Sequence, residues 1–105
     1  MEAYKIVNKN MQSIFATGDG LTQYYIGEKV YPPEQCGPLA AFIKLKYAMD
    51  FMHNHPQVWG QIFKCEVQPS NIRYLLSEVG VLPSHQLPPG TILCDWIELG
   101  NIVWP

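Results

Sequence analysis

Prolines and glycines interrupt the chain at short intervals, and this restricts it to short elements of secondary structure. Nine prolines and eight glycines are spread over 105 residues. Proline cannot continue a helix or a central strand, and glycine favours turns, so their density predicts many turns rather than a helical bundle. A chain of this length corresponds to one domain, and we expect residues 1–105 to form it.

The composition narrows the class of protein further. Hydrophobic residues make up 48% of the chain and charged residues only 15%, which predicts a folded chain rather than a disordered one. The net charge of −2 argues against a basic surface for nucleic acid or for anionic membranes. We also expect neither a transmembrane helix nor a secretory signal, because no apolar run is long enough and the first residues lack the signal pattern.

The cysteine pattern indicates a reducing compartment. Cys36, Cys65 and Cys94 are odd in number and widely spaced, which does not predict a disulfide framework. Reduced thiols and a cytoplasmic location are therefore expected. Cys65 and Cys94 have apolar neighbours and are predicted to be buried, whereas Cys36 lies in a proline-rich loop.

The order of elements predicts an α+β domain with a mostly antiparallel sheet. Strand-like patterns cover residues 4–7, 13–17, 22–26, 29–31, 39–43, 58–67, 91–99 and 102–104, with a turn at 100–101. One main helix is predicted over residues 45–53, because Leu45, Ala48, Met49 and Met52 form a single apolar stripe. A second short helix is predicted over residues 71–77.

Residues that carry metal or nucleophilic chemistry are present but do not form recognisable motifs. On a helix, His53 and His55 point about 200° apart, so they are not expected to share a metal ion. Cys36 paired with a histidine is an alternative nucleophile, yet nothing beside it in sequence activates the thiol. The Gly18-Asp19-Gly20 turn matches neither a phosphate-binding loop nor a dinucleotide motif. We therefore predict no enzyme activity, no cofactor and no metal.

Aromatic residues and a rigid proline-rich loop give the best candidate for a binding site. Tyrosines supply contact area with few rotatable bonds, and prolines limit the entropy that the loop loses on binding. The competing hypothesis is that these aromatic residues pack in the core of the sheet. The predicted binding residues are Tyr24, Tyr25, Tyr31, Pro32, Pro33, Glu34, Cys36 and Pro38.

Several segments also resemble a known group of proteins. They are residues 4–7, 25–30 and 37–42, the helix with Ala48 and Phe51, and residues 62–67, and together they span residues 4–67. This run resembles small uncharacterised proteins encoded by bacteriophages and large DNA viruses. The chain departs from that pattern before its helix, where Ile43-Lys44 replaces an N-capping Asp or Ser. The resemblance implies a viral protein in the host cytosol that binds a host protein or sequesters a small ligand.

A second resemblance, to a fragment of the ADP-ribosyltransferase fold, implies an enzyme, but the residues do not fit it. Those enzymes use a glutamate near a strand with a partner two residues earlier, and an Arg or His on an early strand. Here Lys64 stands two residues before Glu66, and the early strand offers only Lys5.

Binding of a host protein is thus the leading hypothesis, with a homo-oligomer as a further option. Sequestering a small ligand or nucleotide is the first alternative, and a minimal enzyme acting on a nucleotide is the weaker one.

Overall fold

The computed structural model describes residues 1–14, 22–33, 37–58, 60–77 and 80–105. Its elements confirm the α+β class, with one α-helix among the described residues and antiparallel pairing between the strands. In chain order they are β1 (Glu2–Val7), β2 (Lys29–Val30), β3 (Leu39–Phe42), α1 (Leu45–Asn54), β4 (Gln61–Pro69), β5 (Tyr74–Ser77), β6 (Gly80–Pro83), a 3₁₀ turn (Ser84–Gln86) and β7 (Thr91–Trp104).

The larger sheet closes on itself into a small barrel. β1 pairs with β3 on one side and β4 on the other, and β7 pairs with both β3 and β4. The ring β7-β3-β1-β4 is therefore complete, and β2 extends it along β7. Closure satisfies the backbone groups that an open sheet leaves unpaired at its edges.

The barrel interior takes alternate residues of each strand. Ala3 and Val7 of β1 face inward, as do Phe63, Cys65 and Val67 of β4. On β7, Cys94 and Ile97 both belong to this core although they are three residues apart. The pairing between β4 and β7 shifts register at the same point, so one additional residue in β7 bends the strand and lets it close the ring.

The helix packs on the outside of the barrel, as its apolar stripe predicts. Ala48 is fully buried, and Leu45, Met49 and Met52 are partly buried against Ile6, Phe42 and Ile62. Within the described residues, the N-cap Lys44 makes no side-chain capping hydrogen bond, so packing holds the start of the helix. In the described part of the chain, no helix is sufficiently long and apolar to cross a membrane.

The predicted second helix is wrong, because its residues form a hairpin. Tyr74–Ser77 pairs antiparallel with Gly80–Pro83. The Ser70 hydroxyl accepts a hydrogen bond from the Ile72 amide at 3.0 Å, which makes a local turn and not a helix cap. Leu75 is buried against Ala40 and Leu93, and this contact with the barrel outweighs the helical spacing of the leucines.

Two other predictions need correction or completion. The turn predicted at 100–101 is absent, because β7 runs through Gly100 to Trp104. A Cβ on Gly100 would lie 3.1 Å from the Lys64 carbonyl oxygen, so glycine here permits a close approach to β4. Of the predicted strand at 13–17, Ser13 bridges Val7 in antiparallel fashion, and residues 15–17 lie outside the described residues.

Candidate functional site

The predicted binding residues divide into a buried and an exposed group. Tyr24 is only 1% exposed and belongs to the barrel core, whereas Tyr25 and Tyr31 are 56% and 60% exposed. Pro32 and Pro33 are half-buried and Pro38 is buried. Glu34 and Cys36 lie outside the described residues. The structure therefore leaves Tyr25 and Tyr31 as the aromatic side chains of this set that a partner can reach.

Backbone contacts anchor the loop that carries these prolines. The Gly37 amide donates to the Leu76 carbonyl at 2.9 Å, and the Leu76 amide donates to the Gly37 carbonyl at 2.7 Å. Gly37 has a φ of +119°, and a Cβ there would lie 2.5 Å from Cβ of Pro32. The conformation and the close approach both require glycine, so the loop is tied to the β5–β6 hairpin at this point.

A lysine inside the barrel underlies the loop. Lys5 is 2% exposed, and its Nζ donates to the Ala40 carbonyl at 2.6 Å and to the Ser13 hydroxyl at 3.2 Å. The same Nζ lies 5.2 Å from the centre of the Tyr24 ring. These contacts place a cation against carbonyl, hydroxyl and π-electron density, which compensate in part for its loss of water.

Burial changes the acid–base properties of this interior. Desolvation lowers the pKa of Lys5 from 10.5 to about 8. It also raises the pKa of the Cys65 and Cys94 thiols from 9.0 to about 12, and it raises the pKa of Tyr24. At neutral pH the thiols are therefore uncharged and supply no anion to pair with the Lys5 ammonium.

The space beside Lys5 is too small for a ligand. A cleft of about 10 Å³ lies between Lys5, Tyr24 and Pro38, which is roughly the volume that one water molecule needs. Within the described residues, the buried Tyr24 hydroxyl has no hydrogen-bond partner. Lys5 and Tyr24 are thus interior polar groups of the barrel and not the floor of a pocket.

On the outer surface, three exposed side chains flank β2: Tyr25, Ile26 and Tyr31. We call this set the tyrosine edge. Ile26 is 62% exposed, and its backbone bridges to Leu99 of β7. A turn closed by the Glu28 amide and the Tyr25 carbonyl, 3.2 Å apart, joins the first two residues to β2. The tyrosine edge therefore lies on a segment that is held to β7 at Ile26 and through β2.

Charged residues border the tyrosine edge. Glu28 and Lys29 are both exposed. The Lys29 ammonium lies 4.4 Å from the centre of the Trp96 ring, a cation–π distance that holds this side chain against β7. Trp96 is the one described tryptophan placed beside this edge, since Trp104 lies on a cavity with Met49 and Met52, and Trp59 lies outside the described residues.

The two histidines at the end of α1 line different spaces, His53 in the last turn and His55 as the C-cap residue. His53 lies on an apolar cavity of about 330 Å³ with Trp104, while His55 lies on a groove with Gln86. Among the residues that the structure describes, no group of three or more His, Cys, Asp or Glu side chains is placed to hold a metal ion.

Two residues of the site region were not in the predicted set. Ile26 gave no signal beyond its hydrophobicity, because exposure depends on how the segment crosses β7. Lys5 did carry a signal, since it shares the alternation of Ala3 and Val7 and therefore points to the inner face of β1.

No protein-family model, curated protein or solved structure matches the chain.

Proposed function

We propose that this chain is a small, non-enzymatic protein that acts by binding another protein through the tyrosine edge. The observation that supports this most directly is the exposure of Tyr25, Ile26 and Tyr31, each more than half accessible, on a segment that pairs with β7 at Ile26 and through β2. Large side chains that remain exposed on rigid backbone are typical of protein interfaces, because little entropy is lost when they bind.

The shape of the region favours a protein over a small molecule as the partner. A ligand site needs a concave cavity of roughly 300 Å³ or more. The cleft behind the loop holds only about 10 Å³, and neither Tyr25 nor Tyr31 lines it. Glu28 and Lys29, at the border of the tyrosine edge, carry opposite charges. They favour a specific partner over strong electrostatic attraction.

The same proposal gives the protein a viral origin and a host protein as its partner, following the resemblance to bacteriophage and large DNA virus proteins. Cys65 and Cys94 are buried free thiols, which supports a reducing compartment such as the host cytosol. Enzyme activity is not part of the proposal. Lys5 is the residue that the early strand offers for such a role, and its amine already donates to the Ala40 carbonyl and the Ser13 hydroxyl.

The experiment compares two double variants as bait in extracts of a candidate host. Tyr25→Ala with Tyr31→Ala removes the tyrosine edge. Tyr74→Ala with Val81→Ala is the matched control, since these side chains are 44% and 60% exposed on the outer face of the β5–β6 hairpin. Proteins captured by the wild type and the control, but not by the edge variant, are then purified and their affinities measured.

We expect the edge variant to lose at least tenfold in affinity for such a protein, at a thermal stability close to that of the wild type. Equal capture by all three baits would contradict the proposal. Loss of capture in the edge variant together with a large loss of stability would show that the tyrosines are structural.

A further inference from the structure

A second cavity, away from the tyrosine edge, lies between α1 and the loop 86–89. Its volume is about 530 Å³, within the range of roughly 300–1,000 Å³ that small-molecule sites occupy. The helical wall presents aromatic and polar side chains, and the opposite wall is the short proline-rich segment. We call this cavity the helix–proline groove.

The proline wall of the groove is held in place by local contacts. The Pro88 carbonyl accepts hydrogen bonds from the Thr91 hydroxyl at 2.6 Å and from the Thr91 amide at 3.2 Å. Gly90 has a φ of +79°, and a Cβ there would lie 2.2 Å from the Tyr47 ring. Helix and loop are thus in direct contact at one end of the groove, so the groove is preformed and needs little ordering on binding.

The helical wall carries a pair of stacked rings. The Phe51 and His55 rings have their centres 4.2 Å apart and their planes 22° from parallel. His55 Nδ1 lies 2.8 Å from the Phe51 carbonyl oxygen. Because a carbonyl only accepts, Nδ1 carries the proton, and Nε2 of the neutral ring is left as an acceptor. Phe51 also packs against the Phe42 ring, with ring centres 5.6 Å apart, so the flat surface that the groove gains is the face of His55 turned away from Phe51, with the Nε2 acceptor at its border.

The remaining polar groups are suited to the border of a heterocycle. Asn54 and Gln86 stand on opposite walls, and each carboxamide offers both donors and an acceptor. Carboxamides of this kind pair with the ring nitrogen and exocyclic amine of a base. Lys46 and Asp50 bring one charge of each sign, so the groove has no excess of positive charge for a phosphate chain.

From these groups we infer that the helix–proline groove binds an uncharged, planar nitrogen heterocycle, namely a nucleobase or nucleoside. The ring stacks on the face of His55 turned away from Phe51, and its polar border is bound by Asn54 and Gln86. Stacking on aromatic side chains gives affinity for any flat base, and the carboxamides discriminate between bases. This site is separate from the tyrosine edge, so either proposal stands or fails without the other.

The test is a nuclear magnetic resonance titration of the ¹⁵N-labelled full chain with adenosine, guanosine, cytidine, uridine and ATP. We expect at least one nucleoside to give saturable shifts confined to the amides of residues 46–55 and 84–91. ATP should bind no more tightly than adenosine, because the groove charge is balanced. The inference would be overturned if none of the four nucleosides gave saturable shifts up to ~10 mM. A dissociation constant of that size corresponds to a binding free energy of only about 3 kcal/mol.

Two histidine variants provide a matched pair. His55→Phe keeps a ring for stacking but removes the Nε2 acceptor, and we expect a five- to tenfold weaker affinity, the size of one hydrogen bond (about 1 kcal/mol). His53→Phe, in the last turn of α1 and lining the other cavity, should leave the affinity within twofold of the wild type. Equal weakening by both variants, or an ATP affinity at least tenfold above that of adenosine, would contradict the proposed site.

A third variant keeps the test decisive if His55→Phe does not fold. Asn54 is exposed at the end of α1, so Asn54→Leu should preserve the fold. We expect it to weaken binding several-fold and to alter the preference among the four nucleosides, because it removes a base-reading group and leaves the stacked rings in place. An unchanged affinity and an unchanged preference would contradict a role for this carboxamide.

Discussion

Tyr24 and Tyr25 are adjacent in the chain, yet they belong to regions with opposite physical character. Tyr24 is 1% exposed and packs in the barrel beside the Lys5 ammonium, whereas Tyr25 is 56% exposed on the tyrosine edge. Burial of an aromatic ring removes a large apolar area from water and contributes directly to folding. An exposed ring contributes little to folding and is available to a partner. Of two consecutive residues in one short segment, one therefore stabilises the interior and the other lies on the surface that we propose binds a partner.

The largest expected effect is on stability at Tyr24. Tyr24→Ala should lower the free energy of unfolding by about 3–5 kcal/mol, because it removes a buried ring and leaves a cavity. Tyr25→Ala should change it by less than about 0.5 kcal/mol, as is usual for exposed positions. Chemical denaturation of both variants measures the difference. Comparable losses in the two would remove the distinction between interior and edge.

The buried ionisable groups predict a stability maximum on the alkaline side of neutrality. Between about pH 8 and 10.5 the unfolded chain binds more protons at Lys5 than the folded chain does, so stability rises with pH by up to about 1.4 kcal/mol per unit. Above pH 9 the Cys65 and Cys94 thiols hold their protons only in the folded chain, so stability falls. The two thiols outweigh the one amine, and the maximum should lie near pH 8 to 9.

Replacing Lys5 tests how much its amine contributes to the pH dependence of stability. Lys5→Met keeps much of the side-chain volume and removes the titrating group, so the rise between pH 7.5 and 9 should disappear while the fall above pH 9 remains. Urea unfolding at half-unit pH steps measures both. A variant with the same rise as the wild type would mean that another group is responsible.

The rate at which the two buried thiols are alkylated also tests whether the barrel interior is closed to solvent. Cys65 and Cys94 are buried and their pKa values are raised to about 12, so the reactive thiolate is scarce in the folded chain. Alkylation at pH 8 should modify them at least tenfold more slowly in buffer than in concentrated urea, as measured by peptide mass spectrometry. Similar rates in both conditions would contradict their burial in a stable barrel.

The smallest expected effect is from removing one oxygen atom. Tyr24→Phe deletes a buried hydroxyl that has no hydrogen-bond partner among the described residues, so stability should be unchanged or higher by up to about 1 kcal/mol. A loss of more than 1 kcal/mol on denaturation would show that the hydroxyl is bonded in solution, for example to a water molecule in the small cleft.

Local patterns in the sequence were sufficient for several elements. The stripe of Leu45, Ala48, Met49 and Met52 located the helix and its buried face, because the period of a helix decides which side chains share a side. The alternation in β4 likewise placed Phe63, Cys65 and Val67 together. The same reasoning was wrong for residues 71–77, where the spacing of the leucines also suits a helix, and only the contact of Leu75 with Ala40 and Leu93 selects the strand.

For the predicted binding residues, the residue types and the proline-rich loop can be read from the sequence, whereas the side chains that face water depend on the tertiary structure. Turn residues act over a few positions, so their effects can be predicted from the sequence. Closure of the barrel depends on pairing between β4 and β7, segments that are distant in sequence, and the bend in β7 sets which neighbours turn inward. Tyr24 and Lys5 are buried together inside the closed barrel while Tyr25 is exposed, because a side chain's exposure is fixed by the strands that pack over it and not by its own neighbours.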